Sequence, residues 1–191
     1  TGDPRIVYIP LDHMGGAQAR NAAIKRARGE FIASQDDDAE WHPDYLKEQV
    51  ALLSSLPKEY GMSYVSYWKI LPNGKRVAMP PKGSEPTSGT IYGGGIICKN
   101  YGPFQTLLIR KSVLDELGGV DERLESLYDW EMWLRISRTY KVAHADKKLF
   151  TYIHNEGSNS RDPKKIWRRI NARRHILRLY GDDIRRFGYY A

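Results

Sequence analysis

The pattern of apolar and polar positions changes period several times along this 191-residue chain, and each change predicts an element. Arg5–Ile9 predicts a strand. From Gly16 to Arg28, Ala19, Ala23 and Ala27 recur at every fourth position, the spacing of one helix face, and Gly29 is its stop. Glu30–Ser34 predicts a buried strand that runs straight into Asp36-Asp37-Asp38. Pro43 suits the first position of a helix reaching about Ser55. Two strands, Met62–Ile70 and Lys75–Met79, follow around the turn Pro72-Asn73-Gly74. Phe104–Ile109 predicts a strand, Lys111–Leu117 a short helix ended by Gly118-Gly119, and Asp129–Thr139 a helix carrying Trp130, Trp133 and Leu134. Strands at Val142–Ala145 and Leu149–Ile153 precede a long helix from Pro163 to Tyr180. Strands alternating with helices in the first half predict an α/β fold.

Composition adds bounds. The length suits one domain with a proper core, and no apolar run approaches membrane-spanning length. No signal peptide is visible, and the chain opens on Thr1, so a missing true beginning is expected. Cys98 is the single cysteine, which excludes an intrachain disulfide and argues against a zinc site. Thirty Lys and Arg stand against 23 acidic residues, a net of +7. The segment Arg161–Arg186 holds 10 basic residues and 3 aspartates, also +7, so the excess belongs to one surface.

The aspartate run is the first candidate site. A strand's carboxyl end opens into the crevice where α/β sheets bind ligands. Adjacent carboxylates repel unless solvated or neutralised, and such hard oxygens suit Mg²⁺ or Mn²⁺ shared with a substrate phosphate. A solvated acidic loop is the plain alternative. The second candidate is Tyr128-Asp129-Trp130-Glu131-Met132-Trp133-Leu134-Arg135, where Asp129 at a helix start is on local grounds better explained as a cap. The five glycines within 83–95 predict a loop that either closes over a ligand or is ordinary surface.

Taken in order, Ala19-Arg20-Asn21-Ala22-Ala23-Ile24, Ala27-Arg28-Gly29-Glu30, the aspartates, Trp41-His42-Pro43, Leu117-Gly118-Gly119-Val120-Asp121-Glu122 and Asp129-Trp130-Glu131 form a specific series. From Asp3 to Asn159 it resembles the family 2 glycosyltransferases, which transfer a sugar from a nucleotide diphosphate to an acceptor hydroxyl. The resemblance implies a GT-A mixed sheet flanked by helices, here lacking its first, nucleotide-binding strands. It divides the chain into a transferase domain at 1–160 and a basic helical extension at 161–191. It also implies site roles. Asp129 is the general base of inverting members; Arg20, Asp36 and Asp37 are donor-binding; Asp38, Asp36 and His154 lie at a Mn²⁺ or Mg²⁺ ion. Two positions depart from the family pattern: Tyr128 stands where relatives carry Glu, and Ala39 where many carry a further acid.

The expected partners are a nucleotide-diphospho-sugar and a glycan or lipid-linked acceptor, with no nucleic acid. The expected location is the cytoplasm, at the inner membrane face if the basic helix lies on anionic lipid. That helix is equally explained as an apolar stripe packed on the domain. Trp41, Trp68 and Tyr92 are read either as sugar-stacking platforms or as core. Two other functions stay open: a non-catalytic, degenerate transferase module, and a metal-dependent nuclease or phosphotransferase, which would need a second set of nearby acids.

Overall fold

The computed structural model describes residues 2–12, 15–37, 39–81, 88–93, 95–153 and 166–187. Among these, six strands form one mixed sheet: β1 (Phe31–Ala33), β2 (Ala39–Trp41), β3 (Tyr60–Ile70), β4 (Arg76–Met79), β5 (Leu107–Arg110) and β6 (Lys141–Ile153). The order is β1-β5-β3-β6-β2, with β4 also on β3. Only β3 and β6 run parallel; every other pair is antiparallel. β3 is the axis of the sheet, taking β5 along Met62–Tyr64 and β4 along Tyr67–Ile70 on one edge and β6 on the other.

Five α-helices lie among the described residues: α1 (Gly16–Arg26), α2 (Tyr45–Ser54), α3 (Lys111–Leu117), α4 (Tyr128–Thr139) and α5 (Ile166–Arg186). The larger core joins Ala17 and Ile24 of α1, Leu114 of α3, Met132 and Trp133 of α4, and Ile176 and Tyr180 of α5 to Met62, Tyr64 and Ile109 of the sheet. A smaller cluster unites Tyr45 of α2 with Val65, Tyr67 and Phe150. Both exist because period-2 strands and period-3.6 helices each present one apolar face that must be covered.

Several expected elements are found nearly as drawn, and four differ. Arg5–Ile9 is not a strand: it has no ladder partner among the described residues, and Ile6, Val7 and Tyr8 are exposed. Alternation favours extended backbone, but only pairing makes a strand. The two strands expected between Val142 and Ile153 are one, β6, because register shifts against β3 near Val65–Tyr67 absorb the polar Asp146-Lys147-Lys148 interruption. Phe104–Thr106 is a 3-10 turn ahead of β5. β2, which carried no run long enough to predict it, pairs its three residues with Phe150–Tyr152. β1 ends the strand order and has three residues.

Two polar locks fix the helices near the cleft. Asn21 is buried on α1 and pairs with Val120 like a strand neighbour: its Nδ2 donates to the Val120 carbonyl at 2.8 Å, and its Oδ1 accepts from the Val120 N–H at 2.8 Å. Gly119 makes this approach feasible, since a Cβ there would fall 2.5 Å from Asn21 Oδ1 and its φ is +73°. α5 is held by its apolar stripe and by Tyr180, whose hydroxyl donates to the buried Glu131 at 2.9 Å, while His175 meets Asp121 at 3.0 Å. Burial works against the Asp121 charge, but hydrogen bonds from Arg123 and His175 overcome it and hold the carboxyl well below the usual range.

Candidate functional site

A cleft of about 960 Å³ opens between the start of α1, the end of β1, the 3-10 turn before β5, the first turn of α4 and the first turn of α5. Its lining includes Arg20, Asp36, Tyr67, Lys69, Asn100, Gln105, Tyr128, Asp129 and Tyr152. Residues more than a hundred positions apart therefore share one wall, which no local pattern could have shown.

Arg20 is the hub. One turn into α1, it sends Nε to Ser34 Oγ at 3.2 Å and Nη1 to the Gly16 carbonyl and the Tyr128 hydroxyl, both at 3.1 Å. Its Nη2 makes a short ion pair with Asp36 Oδ1. The guanidinium also lies 5.1 Å from the Tyr128 ring centroid and 5.6 Å from that of Phe104. Of its five N–H donors, four are used and one is left for a ligand. Tyr128 thus holds Arg20 through its hydroxyl.

Asp36 has its other oxygen occupied too: Gln105 Nε2 donates to Oδ2 at 2.6 Å. Gln105 is in turn pinned by its own carbonyl, which accepts from Trp41 Nε1 at 3.0 Å and Tyr45 Oη at 2.8 Å. Each oxygen of Asp36 therefore accepts a hydrogen bond from a nitrogen donor. Asp37 is exposed on the following turn, while Asp38 and His154 lie outside the described residues. Among the described residues no three His, Cys, Asp or Glu side chains converge on a metal-sized site.

Asp129 faces the same cleft from the first turn of α4. The cap position belongs to Leu127, at φ +60°, so Asp129 does not cap the helix as the plain reading had it. Its Oδ1 accepts from the Trp130 N–H and its Oδ2 from Asn100 Nδ2, both at 2.8 Å. Burial pushes its carboxyl above the usual range, only partly opposed by these hydrogen bonds and by the charge of Arg20. Trp130 and Trp133 serve this arrangement indirectly. Their indole N–H groups donate to the Ile96 carbonyl at 2.8 Å and the Gly102 carbonyl at 2.9 Å, fastening the segment that carries Asn100 over α4.

Of the expected residues, Arg20, Asp36 and Asp129 meet in the cleft. Those missed are Asn100, Gln105, Lys69, Tyr67 and Tyr152, which lie in loops or strands without motif spacing. The three aromatics Trp41, Trp68 and Tyr92 line none of it: Trp41 stacks on Tyr45 at 4.2 Å, Trp68 lies under Arg76 and Lys148, and Tyr92 donates to Asp183 at 2.5 Å. The glycine-rich segment lies partly outside the described residues; of the rest, Gly89 exchanges both backbone hydrogen bonds with Val142.

The glycosyl transferase family 2 model matches residues 1–118. The colanic acid biosynthesis protein WcaA of Escherichia coli K12 is 31% identical over 172 residues, 86% of this chain and 58% of the relative. The amylovoran biosynthesis glycosyltransferase AmsB of Erwinia amylovora is 25% identical over 145 residues, 73% of this chain and 44% of the relative. The chain thus spans about half the length of these relatives. Among solved structures, Staphylococcus aureus TarS (1–349) superposes with a TM-score of 0.60 at 19% identity, covering 89% of this chain and 45% of that one. TarS in complex with UDP gives 0.58 at 20% identity over the same shares. The fold is GT-A, and the chain belongs to glycosyl transferase family 2.

Proposed function

We propose that the protein transfers a sugar, with inversion, from a nucleoside-diphosphate donor to an acceptor hydroxyl, with Asp129 as general base. The observation that carries this reading is a carboxylate raised by burial, facing a cleft also lined by Arg20 and Asp36. A base whose pKa is raised binds the proton better than an ordinary carboxylate. The acceptor oxygen attacks the anomeric carbon as its proton passes to Asp129, and the bond from that carbon to the diphosphate oxygen breaks with its electron pair. Arg20, fixed on four sides, offers its remaining N–H to the donor. In this reading Asp36 and Asp37 serve the donor side, Asp36 by orienting Arg20. By the family resemblance Asp38, Asp36 and His154 would hold a Mn²⁺ or Mg²⁺ ion, which would supply positive charge to the phosphates.

The relatives named for colanic acid and amylovoran biosynthesis support a growing polysaccharide, free or lipid-linked, as acceptor. No helix among the described residues is long and apolar enough to cross a membrane. A peripheral contact with anionic lipid, on the cytoplasmic side, is favoured by the outer face of α5, where Trp167 is 64% exposed beside Arg174 and Arg178.

The test is calorimetric titration of the full-length protein with UDP, GDP and dTDP, with and without Mn²⁺, followed by transfer assays. Metal-dependent binding of one nucleotide and transfer abolished by Asp129→Asn are expected. A folded protein that binds none of them is a non-catalytic module instead.

A further inference from the structure

Lys69 stands in the same cleft without a role in the reading above. It follows Tyr67 by two on β3, so both reach the cleft from one strand, while Trp68 between them is covered by Arg76 and Lys148. Lys69 is partly buried, and its ammonium pairs with no carboxylate among the described residues. Other cations of the cleft differ: Arg20 is tied to Asp36, Arg123 meets Asp121 at 2.8 Å, and Arg168 meets Glu125 at 2.8 Å. An ammonium at the wall of a cavity, with no carboxylate partner among the described residues, is complementary to a ligand anion.

The sheet register says where that anion lies. Lys69 pairs with Tyr152 of β6, and Tyr152 pairs with Ala39 of β2. Lys69 is therefore two strand spacings, roughly 10 Å, from the residue that follows the aspartate run. Arg20 and Asp36 line the same cleft as Lys69, so an anionic ligand held there lies within reach of its ammonium. Tyr67, near enough to Asp129 for that carboxylate to raise its hydroxyl pKa along with burial, marks the reaction centre on the same strand.

We infer that Lys69 binds the diphosphate of the donor and, on transfer, takes up the charge of the leaving nucleoside diphosphate. The inference rests on the proposed transferase reading and adds a residue that the aspartate motif does not contain. When the anomeric carbon–oxygen bond breaks, its electron pair stays on the diphosphate. Lys69 donates hydrogen bonds to the non-bridging oxygens throughout and keeps its proton, which leaves Asp129 as the acceptor of the hydroxyl proton.

The test compares UDP with UMP on the full-length protein by calorimetry, in the wild type and in Lys69→Met, with thermal melting as a check on folding. In the wild type UDP should bind more tightly than UMP. In Lys69→Met that advantage should shrink by about tenfold, as for loss of one charge-assisted hydrogen bond, while UMP affinity holds. Equal loss of UDP and UMP would show a structural lysine and overturn the assignment. Unchanged UDP affinity with a raised KM for an acidic acceptor would overturn it too, and give the ammonium to the acceptor. A wild type that binds UDP no better than UMP, yet still transfers sugar, would sink the diphosphate contact while sparing the transferase. A wild type that binds no nucleotide and transfers nothing would sink both.

Discussion

The two walls of the cleft each contribute one aspartate, and their surroundings set them apart. On the α1 and β1 wall, Asp36 is clamped between a guanidinium and an amide, with no oxygen free of a nitrogen donor. On the α4 wall, Asp129 has two neutral donors and no direct cation, and burial raises its pKa. The first carboxylate is placed to hold a cation still; the second is placed to accept a proton. Identical side chains thus acquire different chemistry from their neighbours alone.

The sharpest way to break this contrast is to neutralise each acid in turn. Asp129→Asn should lower kcat by ~10²–10⁴-fold, the range for loss of a general base, with nucleotide affinity kept. Steady-state kinetics beside calorimetry would check it, and an unchanged kcat would remove Asp129 from the chemistry. Asp36→Asn should act in the opposite sense, through binding. Losing a charge-assisted hydrogen bond costs ~1.5–3 kcal/mol, so donor KM should rise by roughly 10- to 150-fold, with kcat changed less. Equal effects of both substitutions on kcat would show that the two walls are not specialised.

Much of this was legible from the chain, and the limits have physical causes. α3 and its Gly118-Gly119 stop were readable because capping is local; both glycines have positive φ in the structure. The hairpin at Pro72-Asn73-Gly74 was readable for the same reason. Arg20 and Asn21 belong to one motif, yet the step of about 100° between adjacent helix positions sends Arg20 to the cleft and Asn21 into Val120. Sequence order could join them but could not tell the ligand-facing residue from the structural one. β2 escaped notice because three residues carry no periodicity, and only the edge of β6 makes them a strand. Asn100 and Gln105 were invisible because their roles come from where Trp41, Tyr45, Trp130 and Trp133 pin the surrounding backbone.

A smaller effect separates the walls through Tyr128. Its ring and hydroxyl both address Arg20, so Tyr128→Phe keeps the cation–π contact and removes only the hydrogen bond. A single hydrogen bond of this kind contributes ~0.5–1.5 kcal/mol net, so donor KM should rise by only about 2- to 12-fold. Tyr128→Glu would instead set a second carboxylate beside Arg20 and draw it away from Asp36. If Tyr128→Phe matched Asp36→Asn in its effect, the hydroxyl and not the carboxylate would be the main anchor of Arg20.

The finest test reads the proton itself. Asp129 must be ionised to act, so activity should fall as pH drops through its raised pKa, placing the acid limb of kcat/KM above the ordinary carboxylate range. The hydrogen bond from Asn100 favours the ionised form and so lowers that pKa. Asn100→Ala removes this donor while the Trp130 N–H stays in place. The limb should then move to higher pH, with the plateau rate at high pH little altered, because the base is present but harder to ionise. A limb that stayed put while the plateau fell would mean that Asn100 orients Asp129 without tuning it. A limb that moved to lower pH would show that the water admitted by the deletion solvates the carboxylate better than Asn100 did, and burial would no longer explain the raised pKa.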